Sequence, residues 1–174
     1  MIAPSNKTTQ ALYKTPAEEE KRLQLLINSY RNRLGLPSIR LSKSLCHVAQ
    51  AHVRDLMDYP PRQPCNTHSW SARGSWRPVC YTDNHDGAER MWGKPREFTN
   101  YLGNGFEIVS WVSDNFSANA DSALTSWQRS SEHRAVILNQ SIWSSFKWKA
   151  MGIGIYKNYA VVWFGEEEDP DGYW

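Results

Sequence analysis

The chain reads as a single α+β domain, and three features of its 174 residues lead there. Amphipathic helical stretches occupy both halves, two short alternating runs close the chain as a hairpin, and a long aperiodic segment lies between. A hydrophobic fraction of 40% with 22% charged residues is a globular composition, and the length suffices for one real core.

Residues 1–14, MIAPSNKTTQALYK, read as a disordered or extended lead-in to a domain spanning 15–166. The first helix is expected from Thr15 as N-cap, with Pro16 at N1 and Glu18 completing a capping box. Leu23, Leu26, Ile27, Tyr30 and Leu34 follow at helical spacing; Gly35 ends the helix and Pro37 blocks its resumption. A second helix follows Ser42, with Leu45, Val48, Ala49, His52, Val53 and Leu56 inward, and stops at Pro60-Pro61. His52 on that stripe reads as a hydrogen-bonded core histidine rather than a ligand.

From Pro60 to about Gly105 turn residues dominate, and a stretch this long must be organised by a disulfide, by aromatic packing or by a site. Cys65 and Cys80 bracket part of it, and a bridge closing a loop of about 15 residues contributes on the order of 3 kcal/mol. Cys46, inside a helical pattern, reads as a buried thiol. Helical pattern returns at NADSALTSWQRSS, with Ala123, Leu124 and Trp127 inward, and again at SSEHRAVILN, capped by Ser130 or Ser131. The run MGIGIYKNYAVVWFG is a hairpin turning at Lys157-Asn158, and Gly152 and Gly154 leave one face bare for a close neighbour. Residues 167–174 read as an acidic, solvated tail.

A net charge of +2 without a basic stripe excludes a dedicated nucleic-acid binder. No run approaches the roughly 18 apolar residues of a membrane span, and no apolar signal region follows Met1. The paired cysteines, and more weakly the sequons at Asn6, Asn115 and Asn139, favour a secreted, extracellular protein in mature form. Nine tryptophans and eight tyrosines exceed what a core alone needs. Trp70, Trp76 and Trp92 fall in the irregular segment with Tyr81, Tyr101, Arg73, Arg77 and Arg90 near in sequence. They either pin that segment down or offer a stacking surface for a sugar, a lipid headgroup or a protein partner.

His133 stands in the first turn of a short helix, where the dipole discourages protonation. A neutral imidazole there can accept a proton, bind a metal or simply hydrogen-bond. The segments THSW (67–70), GNGFEIVSW (103–111) and WQRSSEHRAVILN (127–139), with AQAHVRDLM before them and MGIGIY…AVVWFG after, resemble the CAP superfamily in order and spacing. That superfamily comprises the cysteine-rich secretory, antigen 5 and pathogenesis-related proteins, and the similarity runs from about Pro16 to Gly165, closest to the short bacterial SCP form. The resemblance implies a three-layer α-β-α sandwich around a small antiparallel sheet. It also implies a cleft in which two histidines and two acidic residues hold zinc or another divalent ion in some members. Carried over, His68 is the first histidine, Glu107 the first acid and His133 the second histidine. Ser130 stands where the family's second glutamate lies, and FEIVS replaces the common ENIA around Glu107. Ser130 and Glu132 are candidate cleft-lining residues, although Glu132, adjacent to His133, points elsewhere on the helix.

Read chemically, two imidazoles and one carboxylate suit Zn²⁺ with an open position for an activated water. The same trio serves equally as a metal-free cluster anchoring a loop to a helix end. Ser130 or Ser131 with His133 makes a poor nucleophile–base pair because helical neighbours rarely align, and Cys46 is predicted inaccessible. No catalytic residue is assigned. The expected function is a secreted binding protein whose cleft holds a divalent ion and whose adjacent groove takes a lipid or sterol, a glycan, a peptide or a protein surface. A metal-dependent hydrolase on the same residues is the alternative, and a purely structural module the third.

Overall fold

The computed structural model describes residues 13–174; the lead-in expected over 1–14 lies almost wholly outside the described residues. The elements in order are α1 (Glu18–Asn32), β1 (Arg40–Leu41), α2 (Lys43–Asp58), α3 (Ala88–Trp92), α4 (Lys94–Phe98), β2 (Phe106–Trp111), α5 (Ala120–Arg129), α6 (Ser131–Ile137), β3 (Ala150–Tyr156) and β4 (Tyr159–Gly165).

The sheet order is β1-β3-β4-β2, with β4 antiparallel to both neighbours. The two-residue β1 runs parallel to β3, so the sheet is mixed rather than wholly antiparallel. The chain lays β1 along that edge on its way from α1 into α2. Along β4 the side chains alternate as the pleat requires. Ala160, Val162 and Phe164 enter the core built with α1, α5 and α6, while Val161 and Trp163 enter the one built with α2 and the irregular segment. Three layers result, helices on either side of one sheet. Gly152 and Gly154 lie directly beneath the α2 backbone, the close approach the bare strand face predicted.

Two ends differ from the sequence expectation. Ala17, not Thr15, is the N-cap of α1, and its N–H donates to Glu20 Oε2 at 2.8 Å. Glu20 also accepts from Gln50 Nε2 at 2.9 Å and from the Ile155 N–H at 3.1 Å, so tertiary partners set where α1 begins. At the other end, the residues expected to form a solvated tail are docked. Asp169 is 6% exposed and accepts from Ser42 Oγ (2.6 Å), Ser44 N–H (2.8 Å) and Ser44 Oγ (2.8 Å). Orphan N–H groups and the positive helix terminus of α2 draw this carboxylate in. The Trp174 N–H then donates to the Leu41 carbonyl at 3.0 Å.

The irregular segment is held by the Cys65–Cys80 disulfide, by a bridge between Trp70 and Val79, and by Asp55 of α2 accepting from the Ser71 N–H at 2.8 Å. Cys46 is a buried free thiol, pushed up to about 12 by burial. Among the described residues no helix is long and apolar enough to cross a membrane. Of the sequons, Asn6 lies outside the described residues, Asn115 is exposed, and Asn139 is engaged internally, its Nδ2 donating to the Phe146 carbonyl at 2.9 Å.

Candidate functional site

Glu107 sits on β2 with Ile108 turned to the opposite core, so its side chain faces α2. There it lies fully buried between two histidines. Oε2 meets His52 Nδ1 of α2, and Oε1 meets His68 Nδ1 of the irregular segment at 2.8 Å. The other nitrogen of His52, Nε2, reaches the Ser69 carbonyl at 2.9 Å; that oxygen only accepts, so Nε2 carries a proton. Burial alone would raise the Glu107 carboxyl, but the charge and hydrogen bond of His52, with those of His68, hold it below the ordinary carboxylate range. Trp70 covers His52 with a parallel ring at 4.2 Å and 6°.

His133 occupies the first turn of α6, where Ser130 is the N-cap. Ser130 Oγ donates to Glu132 Oε2 at 3.0 Å and lies 2.9 Å from His133 Nδ1. With its single proton spent on Glu132, the hydroxyl accepts from Nδ1–H, which makes Ser130 a cap and a tautomer lock rather than a nucleophile facing a base. Helical neighbours do align here, contrary to the sequence expectation, but with the proton already on the imidazole. Burial, then the charge of His68, holds His133 below its ordinary pKa, in keeping with the neutral form expected at a helix start. Glu132 itself is exposed, as its helical position implied.

The structure thus joins His68 and Glu107 directly and brings His133 within electrostatic reach of His68. The bonds on Nδ1 leave the Nε2 atoms of His68 and His133 without a protein partner among the described residues. A His/Glu/His ligand set does not fit this arrangement, because both Glu107 oxygens are already held by imidazoles. Among the described residues no group of three or more His, Cys, Asp or Glu side chains is placed to hold a metal ion. Two imidazole nitrogens fall short of the three protein ligands of a catalytic zinc.

His52, read from the sequence as a hydrogen-bonded core histidine, is that, and it also stands at the centre of this cluster. Of the two readings the sequence left open for Trp70, pinning down the irregular segment or offering a stacking surface, the first holds, since it is 2% exposed. Its bridge to Val79 and its stacking on His52 pull it into the core. Trp76 and Trp92 are half-buried. Trp76 donates from Nε1 to the Ser71 carbonyl at 3.0 Å and meets Trp70 edge-on at 4.8 Å. Around it opens a groove of about 660 Å³ lined by Arg77, Arg90, Lys94, Arg96 and Glu97. Lys94 is buried in the floor, bonded to Glu97 at 2.7 Å and to the Arg77 carbonyl.

A model of CAP, the cysteine-rich secretory protein family, matches residues 25–164. Among solved structures, an extracellular SCP-domain protein of Bacillus anthracis aligns over 86% of this chain and 40% of its own, with 16% identity and a TM-score of 0.57. A cysteine-rich secretory protein of Staphylococcus aureus aligns over 88% of this chain and 41% of its own, with 18% identity and a TM-score of 0.56. An outer surface protein of Borrelia burgdorferi aligns over 90% of this chain and 98% of its own, with 15% identity and a TM-score of 0.58. At these identities the likeness is one of fold, and the chain spans about two fifths of the length of the first two. A search of curated proteins returns no match.

Proposed function

Because this chain belongs to the cysteine-rich secretory protein (CAP) family, we propose that it is an extracellular binding protein whose ligand is an acidic glycan held in the Trp76 groove. The observation that carries this reading is the groove's composition. Three exposed arginines and one buried lysine face a single carboxylate, beside an indole held at a set angle by Ser71 and Trp70. An indole face offers a sugar ring a flat apolar platform, and guanidinium forks pair with sulfate or carboxylate groups. Trp70 ties this groove to the cleft, since it contacts both Trp76 and His52. The Nε2 atoms of His68 and His133 would then hydrogen-bond to ligand hydroxyls.

Titration with a sulfated oligosaccharide tests this. Affinity is expected to fall steeply as salt rises, and to drop about tenfold or more in an Arg77→Glu/Arg90→Glu variant. A neutral oligosaccharide of equal length binding as well, or unchanged affinity in the variant, would refute it.

The hydrolase alternative needs a metal-bound water and a free base, and Glu107 is not free. A zinc titration of metal-stripped protein is expected to give binding weaker than micromolar, as two imidazoles imply. Micromolar binding lost in a His68→Ala/His133→Ala variant would bring the hydrolase back.

A further inference from the structure

A second pocket, of about 580 Å³, opens at the end of α6 opposite His133, between the end of α1, β1 and the turn after α6. It shares no residue with the cleft or the Trp76 groove. Leu36, Phe146 and Trp148 supply its apolar surface. Arg31 lines it as well and is its unusual member: 1% exposed, yet paired with no carboxylate among the described residues. Its Nε donates to the Pro37 carbonyl at 3.1 Å, and its Nη1 to the Ile137 carbonyl and to Asn139 Oδ1 at 2.8 Å. Nη2 has no acceptor among the described residues.

A buried guanidinium satisfied only by neutral oxygens is incompletely compensated. Burial pulls its pKa down to about 10. Bonds from Arg31 do tie the end of α1 to the end of α6, which explains why an arginine is there. They do not explain why Arg40, Lys147 and Lys149 gather at the same pocket. The one lining carboxylate, Glu168, is paired with Arg40 at 2.7 Å, and Glu166 nearby accepts from the Lys147 backbone N–H at 2.9 Å. Positive charge therefore exceeds negative at the mouth of a partly apolar pocket of ligand size.

We propose that this pocket binds a compact organic anion, a carboxylate or phosphate monoester on an apolar body. Its head meets Arg31 Nη2 and the Lys147 and Lys149 ammonium groups, and its body lies against Leu36, Phe146 and Trp148. The N–H groups of Nη2 are the guanidinium donors left to an oxyanion, since Nε and Nη1 are taken by protein oxygens, and burial strengthens such charge-assisted bonds.

Calorimetric titrations with 2-naphthoate and 1-naphthyl phosphate, beside neutral 2-naphthylmethanol and inorganic phosphate, test the inference. At least one of the two aromatic anions is expected to bind about tenfold or more tighter than either control, as a charge-assisted contact plus apolar burial implies. Whichever binds tighter identifies the head group. Lys147→Glu/Lys149→Glu changes exposed residues only and is expected to lose about tenfold in affinity with the fold intact. Arg31→Lys, which keeps the charge but not the fork, is expected to weaken binding as well, with circular dichroism confirming that it folds. On binding, the Trp148 indole N–H and Asn139 amide resonances shift. Equal binding of the neutral alcohol or of inorganic phosphate would overturn the proposal. So would unchanged affinity in the double lysine variant, or shifts centred on Trp76. An Arg77→Glu/Arg90→Glu variant retains this binding, so the glycan reading and this one fail separately.

Discussion

Replacing Glu107 by alanine is expected to destabilise the protein by about 3–5 kcal/mol, the cost of stripping one partner from a buried charged pair. The alanine leaves His52 fully buried with Nδ1 lacking its acceptor, and frees His68 from the bond that orients it. Glu107→Gln keeps the shape but turns an amide N–H₂ toward one of two imidazoles, so it is expected to fall between alanine and wild type. Urea unfolding at neutral pH measures both. The pH dependence follows from the direction of the shift. His52 and His68 hold the folded carboxyl below its unfolded value of about 4.3, so its contribution is fully present above that pH and is lost as pH falls through the folded value. The Glu107 contribution to the gap between wild type and Glu107→Gln is therefore expected to be lost, and the gap to narrow, as pH falls below about 4. A Glu107→Ala protein within about 1 kcal/mol of wild type would show that the cluster is not holding the two layers together.

What could be read in advance divides along sequence distance. The start of α2 after Ser42, the Ser130 cap of α6 and the Lys157-Asn158 hairpin depend on neighbours within a few residues and appear where the pattern places them, as does the α1 stripe except for Leu34, which lies past the helix end and is exposed. The start of α1 and the docking of the C-terminus depend on partners such as Ile155 for Glu20 and Ser44 for Asp169, more than a hundred residues away. No local periodicity carries that information. The site follows the same rule. Resemblance to a family locates His68, Glu107 and His133, but not the role of Glu107, because His52 lies 55 residues away on another layer. Ser130 was legible as a cap from its position before the helix; that it also fixes the His133 tautomer needed the side-chain geometry. For Trp70 the sequence left two readings open, because irregular chain permits exposure, and the disulfide-braced loop that folds this ring inward decides between them.

Gly152→Ala is expected to be as damaging as the loss of Glu107, through sterics alone. A Cβ at Gly152 would lie 2.0 Å from the Leu45 carbonyl carbon, 2.1 Å from its oxygen and 2.5 Å from the Cys46 nitrogen. All three are backbone atoms of α2, so no side-chain rotation relieves the contact and the helix itself must lift from the sheet. Gly154 repeats the constraint about one helical turn on, with a Cβ 2.5 Å from the Ala49 carbonyl oxygen. Overpacking that moves a whole element is expected to cost about 3 kcal/mol or more. Gly35→Ala supplies the control: its φ of 75° strains an alanine, but nothing lies within 4 Å, so a loss of about 1 kcal/mol is expected. The two substitutions also differ at the site. Lifting α2 carries His52 away from Glu107, so Gly152→Ala is expected to disturb the His68 imidazole resonances, whereas Gly35→Ala leaves them in place. Equal destabilisation by the two, or an undisturbed His68 in the first, would mean that the contact between β3 and α2 does not set the geometry of the cleft.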